Sequence, residues 1–267
     1  PPLYALQLSE DAIQLFLESP MTLPAPFVAT LEDEMVWAIA YEDITDLPRV
    51  PSAPYPALVT LGRDVNDVQM LVDLERLGSL NLQGPDDLRT AVLRSIALDL
   101  ATSQWGTSLQ VTLVGFGQEM PDAIGQSRLR YVDDTDTLLR NLRGQAESAA
   151  AALQKLGYSS VEEARTSDPL AESWTPEIVV LGKTPAPAVA DEINELVTRI
   201  PRVGVAAIAT GHRVGGWNLE LLRADVAVDG ADEPAVIAEL EIPDSDGAVL
   251  ELTPQMITDE FYTAVLA

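Results

Sequence analysis

Three apolar runs with almost no interruption constrain the fold of this chain more than any other feature. They are Gln110 to Phe116 (QVTLVGF), Glu177 to Gly182 (EIVVLG) and Val203 to Thr210 (VGVAAIAT). A strand with one wet face alternates apolar and polar residues; a run without alternation belongs to a strand covered on both faces. Helical patterns separate the runs. Ala91, Leu93, Ile96, Ala97, Leu100 and Ala101 recur close to every 3.6 residues. Asp136 to Leu156 is rich in Ala and Leu and stops at Gly157, and Ala188 to Ile200 reads as a further helix. Strands and helices in alternation require right-handed crossovers. The predicted fold class is α/β, a mostly parallel sheet with helices on both faces. A chain of 267 residues can bury a full core of that kind.

The flanks read differently. Tyr4, Leu6 and Leu8 alternate, and Ile13, Leu15 and Leu17 alternate after the turn Ser9-Glu10-Asp11, which is hairpin patterning. Beyond the proline-rich passage Pro20 to Phe27, a third strand is expected at Met35 to Tyr41. Asp46 to Pro56 carries Pro48, Pro51, Pro54 and Pro56 and reads as an extended connector. Residues 1–56 are thus expected to form a small β subdomain with its connector, and residues 57–267 the α/β domain. The β unit should pack on the main domain, because an isolated small sheet is marginal in water. The main domain opens with strands at Ala57 to Gly62 and Val68 to Leu74, and Leu129 to Val132 is a further short strand. After Gly211, the closely spaced runs Trp217 to Leu222, Asp225 to Val228, Val236 to Ile242 and Ala248 to Leu252 predict an antiparallel C-terminal extension. Pro254 to Leu266 reads as helix.

The chemistry concentrates at Ser79 to Ala101 (SLNLQGPDDLRTAVLRSIALDLA), where a short apolar strand enters Gly84, a turn and a long helix. A phosphate-binding loop sits in that setting. It uses glycines so that backbone N–H groups wrap phosphates, a Lys for the β- and γ-phosphates and a Ser or Thr for Mg²⁺. Here the turn reads Gly84-Pro85-Asp86-Asp87-Leu88-Arg89-Thr90. Pro85 has no N–H, Asp86 and Asp87 carry negative charge, and no Lys follows. The expectation is a short closed turn, with the two Asp side chains capping a helix that begins near Leu88 and complementing its dipole.

The order of this turn and helix, with the strands Gln110 to Phe116, Glu177 to Gly182 and Val203 to Thr210, resembles the core of FtsK/SpoIIIE-type ATPases, a group of DNA translocases and type VII secretion motors. Pro56 to Gly62 followed by Leu71-Val72-Asp73-Leu74 resembles their lead-in strands. Nearly the whole chain is also similar to a stretch of long actinobacterial proteins that carry LysM or bacterial transcriptional activator modules. The resemblance implies a P-loop NTPase-like core with degenerate nucleotide-site positions at Gly84, Asp86, Asp87, Arg89, Thr90 and Lys183. Thr90 stands near the place of the Mg²⁺-ligating residue, but Arg89 replaces the Lys and the spacing is one residue short. The strand that should end in the Walker B carboxylate ends Val179-Val180-Leu181-Gly182-Lys183. No group there orients Mg²⁺ and the attacking water.

Other residues weigh less. Lys183, one of two lysines, follows a strand end, where open parallel sheets place ligands; the plain alternative is an exposed loop lysine. His212, the single histidine, follows another strand end without a partner nucleophile motif. Acidic groups at Glu32, Asp33 and Glu34, at Asp133, Asp134 and Asp136, and at Asp244 and Asp246 offer oxygens to a divalent cation, but none matches an EF-hand loop. The chain has no cysteine, which excludes disulfides and thiolate chemistry. The net charge of −26 opposes nucleic acid and anionic membranes. The start, Pro1-Pro2-Leu3-Tyr4, has no signal-peptide pattern, and the chain reads as an excised soluble piece of a longer polypeptide. The sequence therefore points to a non-catalytic pseudo-ATPase interaction or scaffold domain, with protein partners or other domains of the same chain, no catalytic residue, no metal and no cofactor. Its expected place is the cytoplasm, alone or as the soluble part of a membrane-anchored protein. The alternatives are a nucleotide-binding ATPase or sensor with unconventional residues, and a divalent-cation enzyme built on the acidic loops.

Overall fold

The computed structural model describes residues 1–44, 54–106, 108–167, 174–211, 214, 216–224, 235–243 and 247–266. Residues 45–53 of the Pro-rich connector and the strand expected at Asp225 to Val228 lie outside these, as do His212, Asp244 and Asp246. The chain opens with the hairpin β1 (Leu3–Leu8) and β2 (Ala12–Leu17), followed by β3 (Val28–Ala29), β4 (Val36–Ala40) and the single-turn α1 (Tyr41–Ile44). Next come β5 (Leu58–Arg63), β6 (Gln69–Asp73), α2 (Leu74–Leu77), β7 (Ser79–Gln83) and α3 (Asp86–Thr102). They are followed by β8 (Gln110–Val114), α4 (Met120–Ile124), β9 (Leu129–Val132), α5 (Thr135–Leu156), α6 (Val161–Ser167) and β10 (Glu177–Leu181). The last elements are α7 (Pro187–Val197), β11 (Val205–Thr210), β12 (Trp217–Arg223), β13 (Val236–Glu241), β14 (Val249–Pro254) and α8 (Asp259–Val265).

All fourteen strands join one sheet in the order β3-β4-β2-β1-β6-β5-β14-β13-β12-β7-β11-β10-β8-β9. Its core is parallel: β12, β7, β11, β10, β8 and β9 make five parallel pairings. The expectation of a mostly parallel sheet is corrected, because the other eight pairings are antiparallel. The reason is connection length. Parallel neighbours need a long crossover, usually a helix, whereas the short turns at both ends of this chain close hairpins. The leading unit adds to the sheet edge to edge, β1 pairing with β6 from Ala5↔Val72 to Leu8↔Gln69. The sheet also curls: Tyr4 of β1 meets Trp217 of β12 edge to face, with ring centroids 5.5 Å apart.

Two cores explain the unbroken apolar runs. Ile178 and Val180 of β10 turn toward the layer of α3, with Leu88, Val92, Leu93, Ile96 and Leu100. Val179 and Leu181 turn the other way, toward Leu138, Leu139 and Leu142 of α5 and Ile193 and Leu196 of α7. Each fully buried Leu, Ile or Val side chain contributes roughly 1.5–3 kcal/mol, so α3 is held by its buried face and not by intrinsic helix propensity. Asp134 caps α5 by accepting from the N–H groups of Asp136 and Thr137, and Gly157 ends that helix.

The C-terminal extension departs from expectation at its first strand. β12 runs parallel to β7, from Trp217↔Leu80 to Glu220↔Gln83, and only β13 and β14 are antiparallel. The chain therefore passes from β11 to β12 across β7 in six residues, 211–216. Asn81, fully buried in the middle of β7, fastens this crossover. Its Oδ1 accepts from Val214 N at 2.6 Å and its Nδ2 donates to Trp217 O at 2.8 Å. Asn81 thereby uses both faces of its amide on backbone groups that the crossover would otherwise bury unpaired.

Candidate functional site

The turn after β7 consists of Gly84 and Pro85 alone, for α3 begins at Asp86. Gly84 holds φ at +109°, a region that side chains of L-residues rarely enter. A Cβ there would also overlap the carbonyl oxygen of Leu221. That oxygen belongs to β12, which runs three residues past its last pairing with β7. The overhang places Leu221 against Gly84 and Arg223 on Asp87.

The side chains around the turn are occupied with one another. Asp86 pairs with Arg89 and Asp87 with Arg223. The hydroxyl of Thr90 donates to the carbonyl of Asp86 at 2.8 Å. The hydrogen bond from Arg223 holds the Asp87 carboxyl below the usual carboxylate range. Capping by these acids is overturned. Pro85 stands at the N-cap and makes no side-chain hydrogen bond, and the helix starts two residues earlier than expected, so that Asp86 and Asp87 are its first two residues. Gly84, Asp86, Asp87, Arg89 and Thr90 thus meet at one end of α3.

Lys183 does not join them. Its stem lies along Gly115, beyond the end of β8, and the residue is exposed. β7 and β10 are two strand spacings apart, about 10 Å, and Lys183 leans away from β7. The end of β10 holds Leu181 and Gly182, with the ring of Phe116 filling the space beside Gly182. Among the described residues no group of three or more His, Cys, Asp or Glu side chains converges as a metal site. Several members of the acidic runs are engaged locally: Asp33 accepts from Met35 N at 3.0 Å, Glu34 from the Thr22 hydroxyl at 2.7 Å, and Asp133 from the Tyr131 hydroxyl at 3.1 Å.

Solved structures share this architecture. The cytoplasmic domain of the type VII secretion ATPase EccC of Thermomonospora curvata matches over 82% of this chain and 31% of its own, with a TM-score of 0.58 and 16% identity. The pCW3 conjugation coupling protein TcpA, in its monomer form with ATPγS, matches over 97% of this chain and 89% of its own, with a TM-score of 0.53 and 12% identity. EssC of Geobacillus thermodenitrificans (ATPases 2 and 3) matches over 79% and 48%, with a TM-score of 0.52 and 14% identity. The fold is that of the FtsK/SpoIIIE-like ATPase domains. At these identities the likeness concerns the fold alone. No protein-family model and no curated protein matches the sequence.

In this FtsK/SpoIIIE-like frame, the charged residues that sequence reasoning missed lie at the opposite end of the sheet. Glu177, the first residue of β10, is 3% exposed. Its Oε1 accepts from Thr112 at 2.7 Å and from Arg130 at 2.5 Å, while Oε2 has no partner among the described residues. Nearby, a denser cluster joins the leading unit to the core. Glu18, just after β2, takes Arg76 of α2 and Arg202, the latter at 3.1 Å; Arg76 also reaches Glu162 of α6 at 3.0 Å. Arg165 of α6 is buried, with its guanidinium 2.6 Å from Glu75. Asp73 at the end of β6 is 1% exposed. Burial, with Glu75 and Glu162 alongside, pushes its carboxyl well above the usual range. Burial also raises Glu162. An acid opening an apolar run, as in Glu177-Ile178-Val179-Val180, was the one local signal of this chemistry in the sequence.

Proposed function

We propose that this chain is a pseudo-ATPase: an FtsK/SpoIIIE-like domain that serves as a non-catalytic interaction or scaffold module of a larger protein. The observation that carries the reading is the closed turn at Gly84. A loop of one Gly and one Pro offers too few N–H donors to wrap a triphosphate, and the overhang of β12 occupies the space above it. No cation replaces the missing lysine, since Arg89 and Arg223 are held by Asp86 and Asp87. No carboxylate ends β10. Each absent electrostatic group lowers the rate of phosphoryl transfer on the order of a hundredfold or more, so the pair leaves turnover near background. The net charge of −26, which opposes nucleic acid, supports protein partners over nucleic acid. A cytoplasmic location is supported by the EccC neighbour, which is itself a cytoplasmic domain, and no helix among the described residues is long and apolar enough to cross a membrane.

The test is ATP and GTP turnover with Mg²⁺, measured against a Thr90→Ala/Lys183→Ala control. Equal, background rates are expected. Turnover above the control overturns the proposal. Tight nucleotide binding without turnover, seen as a nucleotide-dependent rise in Tm, moves the function to a nucleotide sensor.

A further inference from the structure

The joint that fastens the leading β unit and α6 to the core does not balance its charges. Three guanidiniums are matched by three glutamates. Arg165 of α6 meets Glu75 of α2 at 2.6 Å, Arg76 of α2 meets Glu18 and, at 3.0 Å, Glu162 of α6, and Arg202 before β11 meets Glu18 at 3.1 Å. Asp73 is a fourth acid. It ends β6, is 1% exposed and pairs with none of these guanidiniums. Its Oδ1 accepts from Glu75 N at 3.1 Å, and its Oδ2 is buried without a partner among the described residues. Tyr55, before β5, also faces Asp73; its hydroxyl stays neutral and donates to the Pro1 carbonyl at 2.6 Å. The Pro1 amine acts on Glu162, as the weakest of that residue's charged neighbours.

An ionised carboxylate without a counter-charge is far costlier to bury than a neutral acid. Water inside the closed joint does not relieve it. The cavity between Glu75, Arg76, Glu162 and Arg202 has about 10 Å³, room for one water at most. Burial, with Glu75 and Glu162 alongside, raises the Asp73 carboxyl, and Arg165 offsets part of the rise. The α6 side of the joint is thinly packed. That helix has seven residues, and its Val161 and Ala164 pack with Leu153 and Trp174 in a small cluster apart from the two large cores. A segment that buries so little apolar surface opens before the whole domain unfolds.

We propose that the joint is a proton-held clasp: Asp73 keeps its proton at neutral pH while the joint is closed, and losing it to water frees α6 from α2 with the rest of the domain folded. The sign follows from linkage. The closed joint is most stable below the acid's unfolded pKa of about 4 and weakens as pH climbs toward the folded value. Acidification tightens the clasp and alkalinisation loosens it. The device is independent of nucleotide, since Asp73 and α6 take no part in the Gly84 turn.

The experiment is amide hydrogen exchange of the 267-residue chain between pH 6 and pH 8.5, corrected for the intrinsic rise of exchange with pH. Protection of α6 should fall by up to about tenfold per pH unit, the effect of one proton, while α3 and β8 stay protected. Asp73→Asn keeps the acceptor for Glu75 N–H and removes the titrating group, so its α6 protection should lose most of this dependence; Asp73→Ser serves if Asp73→Asn fails to fold. In ¹³C carboxyl spectra at pH 7, an aspartate resonance in the protonated range should be present in the wild type and absent from the variant. Flat α6 protection in the wild type, an unchanged slope in the variant, or parallel loss of protection in α6 and α3 overturns the proposal. So does an Asp73 resonance in the ionised range at pH 7.

Discussion

Replacing Arg165 by Met tests how much the fold depends on the charged joint between α2 and α6. The guanidinium is enclosed: it lies 2.6 Å from Glu75 Oε2, 3.0 Å from the carbonyl of Trp174 and 3.2 Å from that of Pro54. Side-chain exposure is 5% for Arg165 and 6% for Glu75. Met keeps the length of the stem but strands a buried carboxylate and two carbonyls. Breaking one side of a buried pair costs about 3–5 kcal/mol. At about 2–4 °C per kcal/mol for a chain of this size, Tm should fall by roughly 10 °C. The deficit should also depend on pH. Asp73 and Glu162 hold their protons more tightly folded than unfolded, and Arg165 opposes both shifts. A carboxyl raised in the folded state leaves stability intact below its unfolded pKa of about 4 and erodes it as pH climbs toward the folded value. Without Arg165 that erosion deepens, so the mutant should trail the wild type by more at pH 8 than at pH 5 in urea unfolding. Glu75→Leu/Arg165→Met should regain most of the loss, because a hydrophobic pair carries no stranded charge. A loss under about 1 kcal/mol, or a deficit independent of pH, would refute the claim that this pair is desolvated.

Three further outcomes are expected. Asn81→Leu should lower stability by roughly 2–4 kcal/mol in denaturant titration, because two backbone groups of the crossover, the buried Val214 N–H and the partly buried Trp217 carbonyl, each lose a partner worth about 1–3 kcal/mol; a neutral result would mean that water replaces the amide. Gly84→Ala should destabilise by at least about 1–3 kcal/mol from backbone strain alone, and an unchanged Tm would show that the turn opens freely from Leu221. Labelled duplex DNA should give no salt-sensitive anisotropy change at micromolar chain near physiological salt; a shift that weakens with added salt would contradict the charge argument.

The parallel core was legible because burial on both faces leaves an unbroken apolar run, and β8, β10 and β11 each show one. The direction of β12 was not. A six-residue connection reads as a hairpin loop, and the device that permits a crossover so short is one side chain, Asn81, far away in sequence. Its position in Ser79-Leu80-Asn81-Leu82, a polar residue inside an apolar strand, was a signal that strand patterning alone does not decode. That Pro85 and two acids follow Gly84, with no lysine directly after them, was visible in the residue types. The partner of Asp87 was not, since Arg223 lies more than a hundred residues further on. Arg165, Glu75 and Asp73 escaped for the same reason: ion pairs between distant segments leave no periodicity, and the chain from Gly157 to Pro176 shows none.

The overhang of β12 carries one more consequence. In a domain whose phosphate loop is ordered by its ligand, binding contributes to folding, and stability rises with ligand concentration. Here Leu221 lies against Gly84 and Arg223 pairs with Asp87, so the contacts that hold the turn come from within the chain. Their effective concentration is fixed by the covalent backbone. The domain should therefore fold, persist and present its surfaces to the same extent in a starved cell as in a well-fed one, its order uncoupled from the nucleotide pool.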